Sequence, residues 1–92
     1  MKIKKMGLCE GRHPIPEVSG YIFPAQVDPL DMVGQAAKAA EALEGVQALN
    51  LYVTGLTVAL VTVINHCRHA GIALTLWHYD RESGGYFAQE VI

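Results

Sequence analysis

Apolar positions along the chain recur first in the loose alternation of a strand and later at helical spacing. Residues 2–9 (KIKKMGLC) take Ile3, Met6 and Leu8 as their apolar content and read as a first strand, though the alternation is imperfect. Glu10 to Gly20 (EGRHPIPEVSG) is a loop, because Pro14 and Pro16 lack backbone donors and bias the residue before each away from helix. Tyr21 to Phe23 is a short extended piece, stopped by Pro24. A helix then begins where Asp28 can cap, with Pro29 at its first position and Asp31 in its first turn. Leu30, Val33, Ala36 or Ala37, Ala40 and Leu43 form its expected core face. Gln35, Lys38, Glu41 and Glu44 are expected to face water, and Gly45 to end the helix.

Residues 47–53 (QALNLYV) read as a second main strand. The second helix runs from about Leu56 to Ala70 and stops at Gly71. Val58, Ala59, Leu60, Val61, Val63 and Ile64 make its first three turns apolar nearly all round, the mark of a helix covered on more than one side. Residues 72–79 (IALTLWHY) are a third main strand. Asp80 to Gly85 is turn chemistry, and Tyr86 to Val91 returns as an antiparallel strand. Strands separated by helices imply parallel pairing and right-handed crossovers. The expected fold is therefore a single small α/β domain over residues 1–92, Rossmann-like and three-layered. Its sheet is mainly parallel, with a C-terminal antiparallel hairpin strand.

Composition sharpens this picture. Of 92 residues, 51% are hydrophobic and 17% charged, which is apolar for so short a chain: either the core is unusually dense or a partner covers some apolar surface, and a homodimer is the ordinary way to do that. Seven basic against nine acidic residues give a net charge of −2, without the basic surplus of a duplex-DNA binder. Lys2, Lys4 and Lys5 read as a solvated strand face. The longest apolar stretch, Leu49 to Ile64, is interrupted by polar residues and is shorter than the roughly 20 residues of a membrane span. Cys9 and Cys67 are too far apart for a redox or zinc pair, so free thiols and a cytoplasmic location are expected.

Candidate chemistry follows from the fold. Open parallel sheets bind ligands beyond the carboxyl ends of their strands. Three loops should meet there: Glu10-Gly11-Arg12-His13, Thr54-Gly55-Leu56-Thr57 and His78-Tyr79-Asp80-Arg81. At the second, a strand ends, a glycine permits a tight turn, and the free N–H groups of a helix start attract anions. Gly55→Val is thus expected to abolish anion binding at a smaller cost to folding. Equally, Thr54 or Thr57 can be an ordinary N-cap and Gly55 an ordinary turn residue. Arg12 and His13 offer a phosphate-pairing guanidinium beside a group titrating near neutral pH, or else a plain surface pair. His66 and His69 lack further spaced partners, so no metal is expected, and no cofactor is implied. His78 can point inward or to the edge. Trp77, Tyr79 and Tyr86 can stack a base or simply pack.

The stretch LYVTGLTVALVTVINHCRHAGIALTLWHYDRESG resembles the second half of CRISPR-associated Rossmann fold (CARF) domains, with a strand, a Thr-Gly turn, an apolar helix and a further strand. The GRHP loop is similar to that of short, single-domain CRISPR-associated ring nucleases. The resemblance implies a role in antiviral defence and a homodimer that binds a cyclic oligonucleotide messenger. Thr54, Gly55 and Thr57 would then line a phosphate site faced by Arg12 and His13. CARF turns usually carry a second glycine and a basic residue where this chain has Leu56 and Val58, leaving Arg12 as the main positive charge nearby. The leading expectation is a binder of an anionic nucleotide-type ligand such as a cyclic oligoadenylate, contacted by Gly11, Thr54, Gly55, Leu56, Thr57 and His78. Metal-independent cleavage would use Arg12 to stabilise charge and His13 to move a proton. The rival expectation is a small dimeric protein-interaction module, joined through the apolar helix and without ligand chemistry.

Overall fold

Every second residue of the middle strands is a leucine or an equally apolar group, and those residues choose the side on which the helices lie. The computed structural model describes residues 2–11 and 14–92. In chain order its elements are β1 (Ile3–Cys9), β2 (Tyr21–Phe23), α1 (Met32–Ala42), β3 (Ala48–Tyr52), α2 (Thr57–Ala70), β4 (Ala73–Asp80) and β5 (Gly85–Glu90). The five strands form one sheet in the order β2-β1-β3-β4-β5. All neighbours run parallel except β4 and β5, which pair antiparallel through Tyr79↔Tyr86 and Trp77↔Ala88. The chain is thus α/β, with a mostly parallel sheet and an antiparallel C-terminal strand.

The two helical crossovers, β2 to β3 and β3 to β4, step the same way across the sheet. Right-handed crossovers that step the same way place both helices on one face, and α1 and α2 do pack against each other. The expected three layers are therefore two. Leu8, Leu49, Leu51, Leu74 and Leu76 are buried in the core cluster with Ala39, Leu43, Ala59, Val63 and Cys67 of the helical layer. The alternate strand positions, Asn50, Tyr52, Thr75 and Trp77, point to the other, helix-free face. There Trp77 Nε1 donates to Asn50 Oδ1 at 3.0 Å, and the Tyr52 and Trp77 rings stack.

α1 differs from expectation in its start and in its buried face. Its N-cap is Asp31, whose Oδ1 accepts the Gly34 N–H at 2.9 Å. Asp28 instead closes the preceding turn by accepting from Leu30 N. Of the stripe expected to reach the core only Leu43 does so; Leu30 and Val33 are each 84% exposed, and Ala36, Ala37 and Ala40 are exposed as well. Gln35, expected in water, is 3% exposed. Its amide is satisfied there, because Nε2 donates to Asp28 O at 2.8 Å and Oε1 accepts from Thr62 Oγ1 at 3.3 Å. A buried amide with both ends bonded costs little, and it ties α1 to α2. Gln35→Ala should remove the tie between the helices and leave Asp28 O without its partner, Thr62 keeping Val58 O at 3.1 Å, and cost about 1–2 kcal/mol in urea unfolding. An unchanged midpoint would mean water replaces the amide freely.

α2 ends at Gly71, which takes φ +70° while the next amide, Ile72 N, bonds Cys67 O at 2.9 Å. That left-handed stop is the one expected from the sequence. Cys67 is fully buried, and burial pushes its thiol up to about 11, so it stays a packing group. Among the described residues, no helix is long and apolar enough to cross a membrane.

Candidate functional site

Parallel strands β1, β3 and β4 end on one edge, and the loops beyond them enclose two adjoining cavities. The smaller, about 220 Å³, is lined by Cys9, Glu10, Gly11, Ala25, Val27 and the turn Thr54-Gly55-Leu56. The larger, about 610 Å³, lies under the loop after β1 and has walls of Pro14, Ile15, Pro16, Tyr79 and Tyr86. Gly11 and Thr54 border both.

Thr54 is a brace. Its hydroxyl donates to Cys9 O at 2.7 Å and accepts from Cys9 N at 3.2 Å, stitching the end of β1 to the end of β3. Both functions of the hydroxyl are used, so Thr54 shapes the edge and does not offer its side chain to a phosphate. Gly55 follows with φ +80°, and a Cβ placed on it would lie 3.2 Å from Cys9 Cβ. Glycine is required here twice, by backbone conformation and by the close strand.

The start of α2 is bare. Leu56 holds the N-cap position in extended backbone and makes no side-chain cap bond. Leu60 N is the first to find an intrahelical partner, Leu56 O, at 3.1 Å. Thr57, Val58 and Ala59 therefore present N–H groups that no side chain caps, and the helix dipole adds partial positive charge. Neither threonine is the N-cap: Thr54 braces Cys9 instead, and Leu56 holds the cap position.

The remaining expected residues divide. Gly11, Thr54, Gly55 and Leu56 come together at the edge. Thr57 lines a separate groove between the helices, with Met32 and Val61. His78 is turned to β5, where Nε2 lies 2.8 Å from Gln89 Oε1 and the ring packs beside Phe87. It does not join the edge. Arg12 and His13 lie outside the described residues. Among the described residues, no group of three or more His, Cys, Asp or Glu is placed to hold a metal ion.

The larger cavity brings together Tyr79 and Tyr86, two of the aromatics the sequence offered for stacking or packing, and adds Tyr52, Tyr21 and Glu17 around them, which it did not single out. Tyr86 meets Tyr52 edge-on at 4.9 Å and Tyr79 at 5.3 Å. The Tyr21 hydroxyl accepts the Ile15 N–H at 3.0 Å and pins the loop that forms the opposite wall. Burial first, then the Glu17 carboxylate, pushes the Tyr52 and Tyr86 phenols above their ordinary value. Both therefore stay protonated near neutral pH. The pairing of aromatic positions across β3, β4 and β5 was the available signal for this chamber. Glu17 had none, since a glutamate in a Pro-rich loop looks like any solvated acid. Glu10 and Glu17 are the charged side chains on the described walls, and both are negative.

No family model, curated protein or solved structure matches the chain. The chemistry of the edge therefore rests on its own residues.

Proposed function

We propose that this protein binds a nucleotide-type anionic ligand across the carboxyl edge of the sheet. The observation that carries the reading is the continuity of the two cavities. A cavity lined by the glycine turn and by Leu56, the residue leading into the uncapped helix, is suited to a phosphate and adjoins a chamber with exposed aromatic faces suited to a base, and both share the Gly11 and Thr54 walls. The location agrees with the Rossmann-like rule for parallel sheets. The acidic walls favour a ligand with one charge per phosphate and a base bearing N–H donors, which Glu17 can accept. A cyclic oligoadenylate, the ligand implied by the resemblance to CARF domains, has those properties.

The test is a thermal-shift series with AMP, ATP and a cyclic oligoadenylate, because a ligand that binds only the native state raises the melting temperature. AMP and the cyclic oligomer should stabilise, and ATP, with its triphosphate beside Glu10, should do less. Tyr86→Leu should weaken binding by roughly 5- to 100-fold, the range expected for one base–aromatic stack. No shift with any nucleotide, or equal affinity in Tyr86→Leu, removes the reading. Incubation of the bound cyclic oligomer in EDTA tests cleavage. Products ending in a 2′,3′-cyclic phosphate would support the metal-independent route, and intact ligand would leave a binding protein.

A further inference from the structure

The outer surface of the helical layer carries the most regular apolar stripe in the chain. Leu30 in the preceding turn, then Val33, Ala37 and Ala40 of α1, repeat at helical spacing, and all are exposed. Beside them on α2 run Val58 and Val61, with Asn65 and Arg68 continuing the row. Met32 and Ala36 floor an open groove of about 580 Å³ between the helices. A helix that turns Gln35 inward and Leu30 and Val33 outward has an amphipathic pattern set for two surfaces: the sheet on one side and something apolar on the other.

The charges bordering the stripe identify that occupant. α1 and α2 both start at the carboxyl edge and run parallel to each other, since each returns antiparallel to the strands it joins. Asp28 and Asp31 lie at the start of α1, and Glu41 and Glu44 toward its end. α2 starts with its uncapped N–H groups and ends with Arg68 and His69. Two in-plane two-fold axes could bring a second copy face to face. An axis across the helices lays α1 on α1 in opposite directions and sets Asp28 and Asp31 against Glu41 and Glu44 of the other copy. An axis along the helices lays each α1 on the other copy's α2. It sets Glu41 and Glu44 against Arg68 and His69.

We infer that a second copy of this chain covers the helical layer through a two-fold axis running along the helices, with each α1 seated on the other copy's α2. The interface is isologous, so the acid–base pairing occurs twice. It leaves the carboxyl-edge cavities open and does not depend on their ligand.

Sedimentation of the full chain tests the inference. Wild-type protein should be dimeric at tens of micromolar, the concentration scale of a dissociation constant near 1 µM. Val33→Asp changes a side chain that is 84% exposed, so the fold should survive, as circular dichroism would verify. It should weaken dimerisation at least tenfold. Glu44→Arg and Arg68→Glu should each weaken the dimer, and the double variant E44R/R68E should recover it. A wild-type protein that is monomeric throughout overturns the inference. So does a dimer indifferent to Val33→Asp, or a double variant no stronger than the singles. A monomer that instead sediments with anionic phospholipid vesicles would assign the stripe to a membrane surface and overturn it as well.

Discussion

Gly55→Val should cost roughly 2–5 kcal/mol of stability, seen as a lower urea midpoint with an unchanged slope. Two separate penalties add. A left-handed φ of +80° costs an L-residue about 1–2 kcal/mol. The new Cβ would also lie 3.2 Å from Cys9 Cβ and 3.3 Å from its Sγ, and Cys9 is held in place by both bonds of the Thr54 hydroxyl. Strain of that kind typically costs a further 1–3 kcal/mol. A chain of 92 residues has a total of roughly 5–14 kcal/mol to lose. The order of effects expected from the sequence is thereby reversed: the fold suffers before the ligand does. A loss under about 1 kcal/mol would show that the turn can slide off Cys9, and that the edge is softer than its contacts indicate.

Gly7→Val should act at a distance on the aromatic chamber. Gly7 pairs with Tyr21 across β1 and β2, and an added Cβ runs into the Tyr21 ring. That ring has little room to yield, because its hydroxyl holds the Ile15 amide. Moving it releases Ile15, Pro16 and Glu17, which form one wall of the chamber. The expected result is a loss of about 1–3 kcal/mol in unfolding. The Ile15 amide should also exchange faster, and the stabilisation by nucleotide should disappear in protein that is still folded. An Ile15 amide as protected as in the wild type would show that Tyr21 is not the prop.

The elements were legible because each rests on local signals. Gly71 stops α2 where a left-handed residue was required, and the alternating leucines of β3 and β4 mark one buried face. The face of α1 was not legible. Leu30, Val33 and Ala40 satisfy the periodic pattern of a core helix, and nothing local says which covered surface the pattern serves. Gln35 was misplaced for a related reason: its burial depends on Asp28 O and Thr62, the latter 27 residues away. The number of layers turned on strand order, which the sequence leaves open until β2 is known to sit outside β1. At the edge, the Thr-Gly turn was legible as a turn, but the roles of its residues were not. Thr54 is there to bind Cys9, and the exposed N–H groups come from Leu56, a residue with no capping chemistry at all.

β5 is the last strand and has one neighbour, and from Phe87 to Glu90 its side chains are exposed. None of its own residues belongs to the buried core, with Val91 just beyond it packing there, so opening of β5 should cost less than global unfolding. Tyr86 rides on this strand. The stacking face of the chamber is therefore carried on an edge strand, while the helix start and the Thr54 brace belong to the centre of the sheet. A ligand arriving at the edge would meet a fixed anchor for its charge and a yielding wall for its ring. Rings of different width could then be admitted at little cost, with selectivity left to the polar rim.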